Sequence, residues 1–174
     1  MEADSALFRR RAVERPEDLS VWTKLYTASQ MMLSAMQEHR VTSALGEICS
    51  NLLGCEEWAI VELPRGTSEV QFVAAEGLSA ERRGALAGSR RILESRMQSG
   101  SLQIVSDQSE REAQDLDRLG ITAVVPAWSD EKSCGAILLF QLLPQRTEFE
   151  AEDRKVLQLL SNYAGRCLKG QNSA

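Results

Sequence analysis

Residues 45–63 read LGEICSNLLGCEEWAIVEL and pass from a helical pattern to a strand pattern within one short stretch. Apolar residues in the first part recur at steps of three and four, which predicts the buried face of a helix that begins near Arg40. Gly54 stands where this helix should end, because glycine readily adopts the left-handed conformation of a helix C-cap. Residues 57–63, EWAIVEL, are rich in β-forming residues and predict the first strand. The fold therefore contains both helices and strands.

Downstream of this stretch the strand patterns come in neighbouring pairs. A turn at Pro64-Arg65-Gly66 separates the first two patterns, and a polar loop over 127–133 separates the last two. Strands joined by a short connection pair antiparallel, so we expect two hairpins in a largely antiparallel sheet. The strand patterns cover residues 57–63, 69–75, 102–105, 121–126 and 134–142.

Helical patterns occupy both ends of the chain. Pro16 followed by two acidic residues is typical of a helix start, since proline fits the first turn and acids favour the positive end of the helix dipole. A closing helix is predicted over 150–168, and weaker helical segments over 79–86 and 89–98. Helices at both ends with paired strands between them indicate an α+β fold.

The bulk composition is that of one ordinary globular domain. The chain has 174 residues, of which 43% are hydrophobic and 26% charged. We divide it into a charged arm over 1–15, a domain over 16–168 and a flexible tail over 169–174. A net charge of −5 argues against nucleic-acid binding, which needs a concentrated basic surface. Neither a signal peptide nor a membrane-spanning run is recognisable, so we expect a cytoplasmic chain without a membrane partner.

Side chains that usually carry chemistry are sparse. His39 is the only histidine, and it lies in a polar stretch. A zinc site needs four ligands at recognisable spacing, and a Ser-His-Asp triad needs a histidine in a different setting. The four cysteines form no C-x-x-C pair; they are Cys49, Cys55, Cys134 and Cys167. We therefore expect no metal, no cofactor and no catalytic residue.

The order of these pieces resembles the GAF family from about Trp22 to Leu168. Residues 45–63 resemble the second helix and first strand of that family. Residues 92–107, ILESRMQSGSLQIVSD, resemble its pocket-capping helix, turn and short strand ending in aspartate. Residues 121–140, ITAVVPAWSDEKSCGAILLF, resemble its strand, proline, polar loop, glycine and final strand. The stretches EVQFVAAEGL (69–78) and FEAEDRKVLQLLSNYAGRCL (149–168) resemble its second strand and closing helix.

The resemblance implies an antiparallel sheet of five or six strands. The N- and C-terminal helices should pack together on one face, and the short helices and loops on the other, where GAF domains often hold a small-molecule pocket. No cysteine is followed by histidine, so covalent bilin attachment is not expected. The polar setting of His39 does not favour a haem ligand. Nothing in the sequence indicates the reactive thiol that a reductase of this family would need.

A ligand in such a pocket would meet residues from several of these segments. Phe72 would form a wall, Arg90 and Arg91 would meet an anionic group, and Met97 and Ile104 would line the space. The alternative for the apolar members is ordinary core packing, and for the arginines it is solvent. The full set of candidate ligand contacts is Phe72, Arg90, Arg91, Met97, Ile104, Ser106, Asp107 and Trp128.

The terminal helices also offer a seam for a homodimer, which many GAF domains form. The candidate seam residues are Trp22, Leu25, Ser29, Met32, Met36, Val156, Leu160, Tyr163 and Cys167. The same spacing would result from burial on the chain's own sheet, so that alternative stays open. If the seam is correct, Met32→Glu combined with Leu160→Glu should yield a folded monomer.

The sequence therefore favours a non-catalytic regulatory or sensory domain that binds a small ligand or a partner protein and works as a homodimer. A ligand-free interaction adaptor of a signalling or secretion complex is the alternative, and a divergent thiol-based reductase is the third hypothesis. The chain carries no recognisable output segment, so either regulator would act on a separate effector protein.

Overall fold

The computed structural model describes residues 16–128 and 133–171, and the side-chain surroundings of 19–127 and 135–163. The predicted arm over 1–15 lies outside the described residues. A π-helical turn, Ile48–Leu52, continues the second helix, and a 3₁₀ turn, Val105–Asp107, follows the third strand. The main elements in chain order are α1 (Pro16–Gln37), α2 (Val41–Glu47), β1 (Trp58–Pro64), β2 (Gln71–Glu76), α3 (Ala80–Ala87), α4 (Arg90–Met97), β3 (Gln103–Ile104), α5 (Glu110–Arg118), β4 (Ala123–Trp128), β5 (Ser133–Leu139) and α6 (Ala151–Gln171).

All five predicted strands are present, with shifted ends. β4 begins at Ala123 rather than at Ile121, because the Ile121 N–H donates to the Leu116 carbonyl at the end of α5, 2.9 Å away. Gly120, with a φ of +68°, makes that C-terminal turn possible. At the other end of the chain, α6 continues past the predicted end at Leu168 to Gln171; the glycine at position 170 weakens a helix without stopping it.

The strands form one antiparallel sheet in the order β2-β1-β5-β4-β3. β1 pairs with β2 and with β5, and β4 pairs with β5 and β3. A bulge between Ile60 and Val61 shifts the register against β2. The expected antiparallel sheet is confirmed, and the number of strands is the lower of the two expected values.

Each face of the sheet supports its own apolar core because side chains alternate along a strand. In β1, Ile60 packs with α1, α2 and α6, whereas Ala59 and Val61 face α3, α4 and α5. β4 and β5 divide in the same way, since Val125 and Ile137 join the first core and Val124 and Leu138 the second. α1 contacts α6 directly. The expected packing of the two terminal helices on one face is confirmed.

Close contact between α2 and the sheet depends on a glycine. A Cβ on Gly46 would lie 2.6 Å from Cζ2 of Trp58 on β1, so this position has no room for a side chain. The Trp58 indole N–H donates to the Ser50 hydroxyl at 2.9 Å, which fixes the ring under the helix. In the same layer, α1 packs against α2 and α6.

Candidate functional site

The sheet face under α3, α4 and α5 is filled by the chain's own side chains. Leu86, Leu93 and Leu116 are fully buried, and Met97 and Phe140 are at most 2% exposed. Two of the covering helices are capped at their starts: the Ser79 hydroxyl accepts from the Arg82 N–H, and Ser109 and Glu112 form a capping box. Within the described residues, the space that the resemblance assigns to a ligand is therefore packed core.

The structure does not gather the candidate ligand residues into one cavity. Phe72 and Met97 belong to the core under α4, whereas Ile104 packs in the core on the opposite face of the sheet. Ser106 and Asp107 are exposed. Trp128 ends β4, and its side chain lies outside the described residues. The sequence pattern located these residues in the correct elements, but it did not show which sheet face each would meet.

Asp107 forms an ion pair with the last helix. Both of its carboxylate oxygens accept from the Arg154 guanidinium on α6, one of them at 2.9 Å. This pairing lowers the pKa of Asp107. The pair contributes stability above the carboxyl's unfolded pKa and loses it as the pH falls through the lowered folded pKa. Because both side chains are well exposed, that contribution is small.

Arg90 and Arg91 stand at the start of α4 and have different surroundings. Arg90 is mostly buried; it pairs with Glu94 at 2.7 Å and donates to the Thr67 hydroxyl at 3.2 Å. Arg91 is exposed. A cleft of about 540 Å³ lies between the turn after β1 and the α3–α4 junction, and Arg91, Thr67 and Ser68 line it. Arg90 therefore supports this cleft, while the Arg91 side chain is open to an anion.

The candidate seam divides into buried and exposed members. Met32, Val156 and Leu160 are completely buried within the chain. They belong to the core, so Met32→Glu with Leu160→Glu should unfold the domain instead of giving a folded monomer, because both charges would be buried. Leu25, Ser29, Met36 and Tyr163 are half-buried, and the Cys167 side chain lies outside the described residues. Trp22 is 69% exposed and remains available to a partner.

An apolar stripe runs along the outer face of α1. Leu19, Trp22, Tyr26 and Leu33 are the large hydrophobic side chains exposed in the described part of the chain. The predicted seam did not include Leu19, Tyr26 and Leu33, because it followed helix positions that include the buried Met32. The sequence does carry one sign of this face. Between Leu19 and Gln37 the only charged residue is Lys24, so nearly all of the helix surface there is uncharged.

Lys24 does not interrupt this face, because it points inward to a buried acid. Its Nζ lies 2.5 Å from Oδ1 of Asp153 on α6, a carboxylate that is completely buried. Oδ2 of Asp153 accepts from Arg146 and, at 2.8 Å, from the Glu150 N–H that opens α6. Arg146 also donates to the Leu53 carbonyl at 2.8 Å. The network joins α1, α6 and the end of the π-helical turn, and it leaves the outer face of α1 without charge.

The two described thiols are poorly placed for chemistry. Burial raises the pKa of Cys49 well above its ordinary value, and burial also raises the pKa of Cys55 to about 12. A thiol is nucleophilic only as the thiolate, so neither is an activated nucleophile at neutral pH.

Within the described residues no group of three or more histidine, cysteine or carboxylate side chains is arranged to hold a metal ion. No helix in the described ranges is long and apolar enough to span a bilayer.

Comparison with known proteins supports the fold and leaves the function open. No family model and no curated protein matches this sequence. Among solved structures, the LBD domain of VqsR from Pseudomonas aeruginosa has a TM-score of 0.56 at 12% identity, covering 84% of this chain and 95% of that one. A GAF domain/HD domain protein from Geobacter sulfurreducens has a TM-score of 0.53 at 12% identity, covering 77% and 93%.

A third similar structure carries a bound pigment. The phycoerythrobilin-bound GAF domain from a cyanobacterial phytochrome has a TM-score of 0.51 at 15% identity, covering 87% of this chain and 96% of that one. At such identities the likeness shows the fold alone. The chain has the fold of GAF domains, and the resemblance inferred from the sequence is confirmed at that level.

Proposed function

We propose that this GAF-fold chain is a non-catalytic regulatory domain of a signalling system, which works as a homodimer and acts on a separate effector protein. One observation carries the proposal: the outer face of α1 presents Trp22, Tyr26 and two leucines to solvent, while the sheet face that would hold a ligand is packed. An exposed apolar patch of this kind is typical of an interaction site. The fold, which is similar to domains of a methyl-accepting chemotaxis protein and a cyanobacterial phytochrome, agrees with this role.

A second copy of the chain is the occupant that this face fits best. In a two-fold dimer the same surface meets itself, so every charge at the centre would face a like charge. The exposed residues of α1 from Leu19 to Gln37 carry no charge, in a chain that is 26% charged. Interface centres are depleted of charged residues and enriched in tryptophan, tyrosine and methionine. The composition of this face agrees with self-association.

We expect Trp22→Ala to weaken the dimer by about 30-fold or more, because an interface tryptophan commonly contributes about 2 kcal/mol. The fold should be retained, since the side chain is 69% exposed and alanine favours helices. Sedimentation velocity over a concentration series measures the dissociation constant, and circular dichroism checks the helix content.

Gln158→Ala, at an exposed position on α6, is the matched control and should leave association unchanged. A wild-type chain that stays monomeric at high concentration would remove the homodimer from the proposed function. An unchanged dissociation constant for Trp22→Ala would place the interface elsewhere.

The cleft at the start of α4 supports a second candidate, a sensor of a small anion. Arg91 is exposed there, Thr67 and Ser68 line the same space, and Glu94, which also lines it, is paired with Arg90. The space of about 540 Å³ would admit a metabolite. Binding at α4 would reach the core directly through Leu93 and Met97, which lie on the inner side of the same helix.

A native mass spectrum of freshly purified protein tests this candidate. A sensor should carry an extra small mass that is lost in Arg91→Ala and kept in Arg111→Ala, a control at an exposed arginine of α5. A spectrum without added mass in the wild type, or an added mass that survives Arg91→Ala, would count against the cleft. The same spectrum reports the oligomeric state.

A further inference from the structure

The exposed stripe of α1 repeats with alternating steps of three and four residues. Its positions, from Leu19 to Met36, follow the spacing of the first and fourth places of a heptad. Ser29 and Met36, which are half-buried, complete the repeat begun by the four exposed residues. A repeat averaging 3.5 residues is typical of a helix that packs lengthwise against a second helix. The six positions are Leu19, Trp22, Tyr26, Ser29, Leu33 and Met36.

The order of large and small side chains favours opposite directions for the two helices. When two such helices run antiparallel about a two-fold axis between residues 27 and 28, Trp22 lies opposite Leu33 of the second copy and Tyr26 lies opposite its Ser29. Trp22 and Tyr26 then each meet a smaller side chain, while Leu19 meets Met36 of similar size, so no layer places two large rings together. In a parallel pair each residue would face itself, so a tryptophan pair and a tyrosine pair would adjoin a serine pair of much smaller width.

The residues that border the stripe on each side also favour antiparallel helices. On one side the stripe is bordered by Thr23, Gln30 and Gln37, which are polar and exposed. Among residues 19–37 the other side is bordered by Leu25 and Met32, which are apolar; Leu25 is half-buried and Met32 is completely buried in the core. Antiparallel helices place like edges together, polar against polar and apolar against apolar, whereas parallel helices place each polar edge against an apolar one.

We infer that the dimer forms through α1 of two copies packed antiparallel, with Trp22 of each copy against Leu33 of the other. This inference rests on the homodimer of the proposed function and adds its geometry. The stripe spans about 26 Å of helix at a rise of about 1.5 Å per residue. A single helix pair of that length gives a small interface, so the dimer should dissociate in the micromolar range.

Distances between spin labels test the direction of the helices. Thr23→Cys and Gln37→Cys place one label per chain at two exposed positions on the same polar edge. With the axis between residues 27 and 28, the paired Cα atoms are about 17 Å apart at position 23 and about 30 Å apart at position 37. A parallel pair would give about 10 Å at both positions. Pulsed electron paramagnetic resonance, with continuous-wave spectra for the shortest separations, measures these distances.

Both variants are made in a chain with Cys134→Ser and Cys167→Ser, in which the remaining Cys49 and Cys55 are buried. That background without an added cysteine is the control and should take up no label. A distance at position 37 that exceeds the one at position 23 by about 13 Å supports the inference. Equal distances in a sedimenting dimer overturn the antiparallel geometry alone, and a monomer at labelling concentration overturns the homodimer with it.

Discussion

Asp153→Ala should lower the free energy of unfolding by about 3–5 kcal/mol. The carboxylate is completely buried and pairs with both Lys24 and Arg146, so its removal leaves two cationic groups facing each other without an acid. The Glu150 N–H at the start of α6 also loses its acceptor. Urea denaturation followed by circular dichroism measures the change, as a lower midpoint with an unchanged slope.

Asp107→Ala is the matched control for this prediction. It also removes an aspartate paired with an arginine, but the Asp107 side chain is 45% exposed and its loss should cost less than about 1 kcal/mol. Burial of the acid, rather than the number of ion pairs, then decides the size of the effect. Similar losses in the two variants would show that the Asp153 network does not hold α1 on α6.

Two neighbouring substitutions on α1 should have opposite consequences. Met32→Glu should unfold the domain, because Met32 is completely buried and an isolated carboxylate in the core costs more than about 4 kcal/mol of a total stability near 5–15 kcal/mol. Leu33→Glu should keep the fold, since Leu33 is 46% exposed, and should abolish the dimer by placing a charge opposite Trp22 of the second copy.

Thermal melts and sedimentation velocity on the two variants distinguish these effects. Leu33→Gln is the control, because glutamine has nearly the same shape as glutamate but no charge. It should weaken the dimer less than Leu33→Glu does. If Met32→Glu were folded and monomeric, the helix would present the opposite face to its partner. If Leu33→Glu remained fully dimeric, the stripe would not be the interface.

The fold could be predicted from the sequence because it depends on patterns that are local and repeated. The helix-to-strand change over residues 45–63 and the paired strand patterns predicted the sheet, in which only the ends of the strands moved. Ile121 shows why the ends moved: its N–H serves the C-terminal turn of α5, a contact that periodicity does not reveal. Element ends depend on such individual hydrogen bonds.

The site was harder to predict because it depends on which face of each element is covered. Ile104 and Phe72 were expected in one pocket, yet they lie on opposite faces of the sheet. Met32 and Leu33 are adjacent and similar in polarity, and only the position of the neighbouring helices makes one core and the other surface. The inward ion pair of Lys24 with Asp153 marks the direction of the core from α1, and a sequence pattern does not reveal this long-range contact.

The absence of charge on the outer face of α1 has a consequence for how such a chain would be controlled. The affinity of a charged interface changes with ionic strength, because salt screens the charges. The affinity of an interface built from tryptophan, tyrosine and leucine does not depend on such screening. The fraction of paired chains would then follow the amount of protein that the cell makes. Synthesis and degradation, rather than the ionic composition of the surroundings, would set the response.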